Sequence, residues 1–172
     1  DRFPQYKSLD KVYFFMAHEF RELNDEDNAL KSYKKLIEKF PQSTYWDESQ
    51  VAVGNIFFQR KDFDFALEQF GEILKRPIGA MTALAHYKQG WCYINKSDWL
   101  KAMDSFVQVF NNQATNSSSG EGSTVAADLK RSDVSSDARS DVREEALVAS
   151  VQPFSELKPE ELRNRPQYLK PI

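Results

Sequence analysis

The sequence predicts an all-α fold of stacked helical hairpins, on the strength of a pattern that returns every 36 to 37 residues. Ala29, Ala66 and Ala102 are each followed four residues later by an aromatic: Tyr33, Phe70 and Phe106. Each alanine also lies nine residues after another aromatic: Phe20, Phe57 and Tyr93. A fixed period in this range marks helix pairs that cannot bury an apolar face alone and therefore stack on their neighbours. Such stacks present a surface and rarely house a reaction.

Each element follows from local pattern. Val12, Phe15, Met16 and Phe20 make a helical stripe within 9–23, and Asn24-Asp25-Glu26-Asp27 is a polar turn. A second stripe runs through Ala29, Leu30, Tyr33, Leu36 and Ile37 until Phe40-Pro41 ends it. The unit then recurs. Asp47 is expected to cap a helix reaching about Arg60, Lys61-Asp62 turns the chain, and Phe63 to Lys75 forms the partner helix before Pro77. A third pair runs from about Gly79 to Asn95 and from Trp99 to Phe110, with Lys96-Ser97-Asp98 between. Connections this short make each pair an antiparallel hairpin.

Beyond Phe110 the composition changes. Residues 111–127 hold a single strongly apolar side chain, too little to offset the entropy of ordering, and Asn116-Ser117-Ser118 fits a glycosylation sequon. Helical character returns from Asp137 to Val151, where Ala138, Val142, Leu147 and Val151 are read as one face. Lys158-Pro159-Glu160-Glu161-Leu162 reads as a short helix with proline in its first turn. The expected organisation is a lead-in over 1–8 and three hairpins over 9–110 (about 9–43, 46–78 and 80–110). A flexible Ser/Gly-rich loop over 111–132 and a helical capping segment with a tail over 133–172 complete it.

The repeating residues resemble the tetratricopeptide repeat (TPR) family, whose pattern is W-x2-L-G-x2-Y, then A-x3-F, then P. The first unit offers Tyr13, Met16, Ala17, Phe20, Ala29, Tyr33 and Pro41. The second offers Gln50, Val53, Gly54, Phe57, Ala66, Phe70 and Pro77, and the third His86, Gln89, Gly90, Tyr93, Ala102 and Phe106. Small residues at Ala17, Gly54, Gly90, Ala29, Ala66 and Ala102 let helices approach closely while the aromatics fill the space between them. The resemblance implies a TPR helical-hairpin solenoid of about three repeats with a C-terminal helical segment. Two stretches narrow it. Phe40-Pro41-Gln42-Ser43-Thr44-Tyr45-Trp46-Asp47-Glu48 looks like the FP-x-S-x-Y-x-D-E junction of bacterial envelope TPR proteins. That group includes the β-barrel assembly lipoprotein, the periplasmic division coordinator and gliding-motility proteins. Ala85 to Tyr93 looks like their A-x-YK-x-GW-x-Y helix.

In this family the first helices line a concave groove. The register places Lys11, Phe14, His18 and Arg21 there from the first unit. The second supplies Glu48, Val51, Asn55 and Phe58, and the third Leu84, Tyr87, Trp91 and Ile94. The partner-binding set expected on this basis is Phe14, His18, Val51, Asn55, Phe58, Tyr87, Trp91 and Ile94, an apolar surface suited to a peptide or helix. The other readings are that a tail such as Val151–Leu169 packs there, or that some of these residues face neighbouring helices. Grip of a C-terminal carboxylate is disfavoured because Phe14 and Tyr87 stand where the family uses cations.

Other chemistry finds little support. Lys and Arg number 23 against 26 Asp and Glu, spread over both halves, so there is no electrostatic case for nucleic acid or an anionic membrane. His18 and His86, the two histidines, belong to no metal-binding motif, and neither a nucleophile elbow nor a Gly-rich phosphate loop is present. No metal or cofactor is expected. Cys92, the one cysteine, is expected to pack as a buried thiol between Trp91 and Tyr93. No apolar run approaches a membrane span. The chain starts at Asp1 without methionine, as expected of a processed chain or an excised piece, which leaves a lipid anchor outside it open.

The function expected is a non-enzymatic protein–protein interaction scaffold of a bacterial envelope assembly or motility complex, with periplasm favoured over cytoplasm by resemblance alone. The alternatives are a self-assembling module, hence a homo-oligomer, and a regulatory TPR domain of a larger protein.

Overall fold

A computed structural model describes residues 8–111 and 138–165. The lead-in before Ser8, the sequon at Asn116 and nearly all of the expected 111–132 loop lie outside the described residues. The elements are α1 (Leu9–Glu22), α2 (Glu26–Lys39), α3 (Trp46–Gln59), α4 (Phe63–Leu74), α5 (Thr82–Asn95), α6 (Trp99–Asn111), α7 (Ala138–Glu156) and α8 (Pro159–Arg163). They are all helices, three hairpins and a C-terminal helical segment, so the all-α hairpin-repeat class holds. The chain divides into two compact units, Asp1–Ile73 and Leu74–Ile172.

The 36–37-residue period has a backbone cause. Asn24, Lys61 and Ser97 take left-handed φ of 58°, 61° and 57°, each at the end of a first helix. The next residue, Asp25, Asp62 or Asp98, donates its N–H back to the carbonyl of Phe20, Phe57 or Tyr93 at 2.8, 2.9 and 2.9 Å. The same aspartates accept on their carbonyls the N–H of Ala29, Ala66 and Ala102, at 3.0 Å in each case. The aromatic, the aspartate and the alanine are thus one turn device used three times. Asp25 and Asp98 also cap the second helix with their carboxylates, accepting the N–H of Asn28 and Lys101 at 3.2 Å.

In the first unit Ala17 and Ala29 are fully buried beside Tyr33 and Leu36. Phe14 stacks on Tyr45 at 4.7 Å and meets Tyr33 edge-on at 6.1 Å. The junction between hairpins is held by its own side chains. The Ser43 hydroxyl donates to Asp10 at 2.6 Å, and the Trp46 indole N–H donates to the Ile37 carbonyl at 3.2 Å. At the other end of α3, Arg60 pairs with Glu26 at 3.2 Å and Asp27 at 3.0 Å on the first turn of α2. The α3 helix begins at Trp46 with Tyr45 as its N-cap, so Asp47 is not the cap expected; it is a first-turn acid that complements the helix dipole. Between α3 and α4 the approach is close enough that a Cβ on Gly54 would lie 2.5 Å from the Phe70 ring.

The α1 stripe expected from sequence is corrected. Phe14 and Ala17 are the buried residues, whereas Val12 and Met16 are 53% and 38% exposed. Met16 holds the register of Val53, which α3 buries completely. α1 has no preceding hairpin among the described residues to cover that face.

In the second unit the Phe106 ring fills the space a side chain at Gly90 would need. α7 packs on α6 and α5, joining Val142, Ala146 and Ala149 to Ala102, Phe106 and Val109 in one core. This is the placement of a further first helix. The face read from sequence for α7 splits in two, because Val142 and Leu147 are five residues apart and lie about 140° around a helix. Val142, Ala146, Ala149 and Pro153 turn inward, while Leu147 and Val151 turn outward. After α8, which has proline at its start as expected, Arg165 pairs with Asp104 at 2.5 Å and ties the segment back to α6.

Candidate functional site

The first-helix register occupies a face of each unit. In the first unit it divides by burial. Phe14 and Val51, expected on an open groove, are buried to 4% and 3% exposure. For Phe14 the cause is visible: its ring is enclosed by Phe15, Tyr33 and Tyr45, because this register position points toward the next first helix. His18, Asn55 and Phe58 remain half-exposed, and Phe58 rests edge-on against Phe63 at 5.5 Å. Arg21, also in this register, turns its guanidinium to the Tyr33 hydroxyl. Burial pushes that hydroxyl's pKa up, the Arg21 charge and hydrogen bond oppose the shift, and the Glu48 charge adds to it.

In the second unit Leu84, Tyr87, Trp91 and Ile94 are half-buried and pack against the core that α7 helps to build. The Trp91 indole donates to the Tyr87 hydroxyl, which donates to Glu145 of α7. The two rings meet edge-on at 6.3 Å, and Tyr87 also tilts against Phe106 at 6.2 Å. Burial pushes the Tyr87 hydroxyl up, and the Glu145 carboxylate adds to it. The C-terminal segment therefore engages this face through α7. Burial lowers the neighbouring Lys88 ammonium, and the Glu145 charge counters this.

Of the side chains with chemical reach, Cys92 is turned inward and His86 is half-buried. Cys92 is fully buried, and burial pushes its thiol up to about 12, so it packs and does not react. Burial holds His86 down to about 4, neutral at any ordinary pH. An open cleft of about 190 Å³ between α5 and α6 is lined by His86, Tyr93, Lys101 and Asp104 among others. Its charges are already used: Lys101 pairs with Asp98 at 2.7 Å, and Asp104 with Arg165. Among the described residues no group of three or more His, Cys, Asp or Glu is placed to hold a metal ion, and no helix is long and apolar enough to cross a membrane.

What sequence reasoning missed is the outer face of α7. Leu147, Val151 and Phe154, all exposed, follow the same i, i+4, i+7 spacing as Tyr87, Trp91 and Ile94. Counting 3.6 residues per turn from Val142 would have separated them from the core face.

Compared with known proteins, the chain matches the family model described as tetratricopeptide repeat over residues 20–43, which span the Asn24-Asp25 turn, α2 and the start of the junction. No curated protein matches it. With the three hairpins, this gives the fold as an all-α TPR-type repeat, a class that generally mediates protein–protein interaction and is generally not catalytic.

Proposed function

We propose that this chain is a non-catalytic docking scaffold that holds a peptide or helical segment of another protein on the first-helix faces of its hairpins. The carrying observation is a shared register: Asn55 and Phe58 in one unit and Trp91 and Ile94 in the other all stay half-exposed, whereas Cys92, the one thiol, is fully buried. A mixture of aromatic anchors with polar neighbours is the composition of protein-binding hot spots. Phe14 and Val51 enter as supports that fix the helices, and His18 as a polar rim residue.

The finer reading, a bacterial envelope assembly or motility complex, is supported by the junction Phe40–Glu48 and the helix Ala85–Tyr93. Fractionation of source cells tests it: recovery of the protein in the soluble cytoplasm alone counts against the envelope.

For the docking face, Phe58→Ser and Trp91→Ser are compared with the parent chain in pull-downs, with circular dichroism to verify the fold. Loss of bound protein in folded variants supports the reading. Unchanged capture by both folded variants overturns it.

A further inference from the structure

The outer face of α7 is apolar in a way its inner packing does not require. Val142, Ala146, Ala149 and Pro153 complete the core, yet Leu147, Val148, Val151 and Phe154 are 47%, 73%, 65% and 41% exposed. Leu147, Val151 and Phe154 fall on one stripe with Val148 at its edge, and an exposed apolar stripe of this kind marks a contact surface. The charges at its ends select the occupant. Glu144 stands seven residues before Val151 and Lys158 seven residues after it, two residues past the end of α7, and both are exposed. Glu156 and Glu160 are exposed as well, whereas three neighbouring charges are already placed. Arg143 lies over the Phe110 ring at 5.6 Å, and Glu145 accepts from Tyr87 and faces Lys88. Glu161 accepts the Lys158 backbone N–H at 2.8 Å.

We infer that α7 is a homodimerisation helix, its partner being α7 of a second copy, antiparallel about a two-fold axis near Val151. An isologous contact must be self-complementary, and an acid and a base equidistant from the centre of an apolar stripe meet that condition. Antiparallel pairing sets Glu144 of each copy, about 10 Å from the axis at 1.5 Å rise per residue, toward Lys158 of the other, just past the helix end. Parallel pairing would set like charge against like. A single helix stripe is a small interface, so the dimer is weak and salt-sensitive.

Sedimentation velocity on the full chain, over a concentration series reaching well above the micromolar range, reads the association directly. A monomer–dimer equilibrium is expected. Val151→Asp, at an exposed position that leaves the core intact, is expected to weaken it at least about tenfold. Glu144→Lys and Lys158→Glu are each expected to weaken it about tenfold at low salt, and the double variant to restore it, because the swapped pair is again complementary. A monomer at every concentration means that the stripe is covered within the chain or meets a different protein, and overturns the inference. So does a dimer that survives V151D, or charge variants without the restoring double. None of these variants touches Phe58 or Trp91, so failure here is distinguishable from failure of the docking face.

Discussion

At the scale of single residues, two positions carry testable energy. Lys61 holds φ at 61°, a conformation that costs an L-residue about 1 kcal/mol or more and glycine nothing. Its side chain is exposed, so Lys61→Gly is expected to stabilise the first unit by about 0.5–1 kcal/mol, less than the full relief because glycine loses more entropy on folding. Urea titration of the two chains decides it, and a lower midpoint for the variant sinks the claim. His86 works through pH. Its folded pKa is held at about 4 by burial, below the ordinary 6.5. Between those values the unfolded chain takes up a proton that the folded chain refuses, so stability is full above pH 6.5 and is lost as pH falls toward 4. In His86→Gln, the residue found in the same register at Gln50, that loss is expected to shrink, as melts between pH 7 and pH 4 would register. Neither effect was legible in the sequence. Lys61 is an ordinary turn residue until its dihedral is known, and His86 is a repeat-pattern position whose burial beside α6 the pattern does not quantify.

At the scale of elements, the hairpins were largely legible and their outer faces were not. Ala29, Ala66 and Ala102 with their aromatics announced the pairing of first and second helices, because close approach needs a small residue opposite a ring. Gly54 and Gly90 state that need most sharply. Gly54→Ala places a methyl 2.5 Å from a Phe70 ring carbon, inside contact distance, and Gly90→Ala does the same to Phe106. Each is expected to cost about 1–3 kcal/mol, the range for overpacking a filled core. Phe70→Leu should relieve part of the Gly54→Ala cost, so the double-mutant cycle is expected to show favourable coupling. Additive losses would mean that the ring does not set the helix spacing. The sequence erred where one register position has two destinations. Phe14 and Val51 share a register with Tyr87, but burial depends on which neighbour arrives, and periodicity names the face and not the neighbour. For the same reason Val12 and Met16, placed in the α1 core stripe by spacing, came out exposed. In α7 the fault was arithmetic: Val142 and Leu147 are five apart, a separation that no single helical face accommodates.

At the scale of the whole molecule, a repeat array must be closed at its ends, because a terminal hairpin exposes the face its successor would have covered. In the second unit α7 supplies that closure with small side chains, Ala146 and Ala149, that let it settle onto Val109 and Phe106, while Glu145 holds Tyr87 and Arg165 holds Asp104. The design follows from composition, since a bulky inner face would hold the helix off the ring of Phe106. A chain ended at Asn111 removes the cap and leaves Val109, Phe110 and Ile94 facing water. The loss is expected to be on the order of 3–5 kcal/mol, from the apolar surface of a few buried side chains at about 25 cal/mol per Å². The measurement is guanidinium unfolding followed by tryptophan fluorescence in a Trp46→Phe background, so that Trp91 and Trp99 report on the second unit. The shortened chain should unfold at lower denaturant. An unchanged midpoint would show that α5 and α6 stand without the cap. The Tyr87–Glu145 hydrogen bond would then be a contact of α7 with a finished surface.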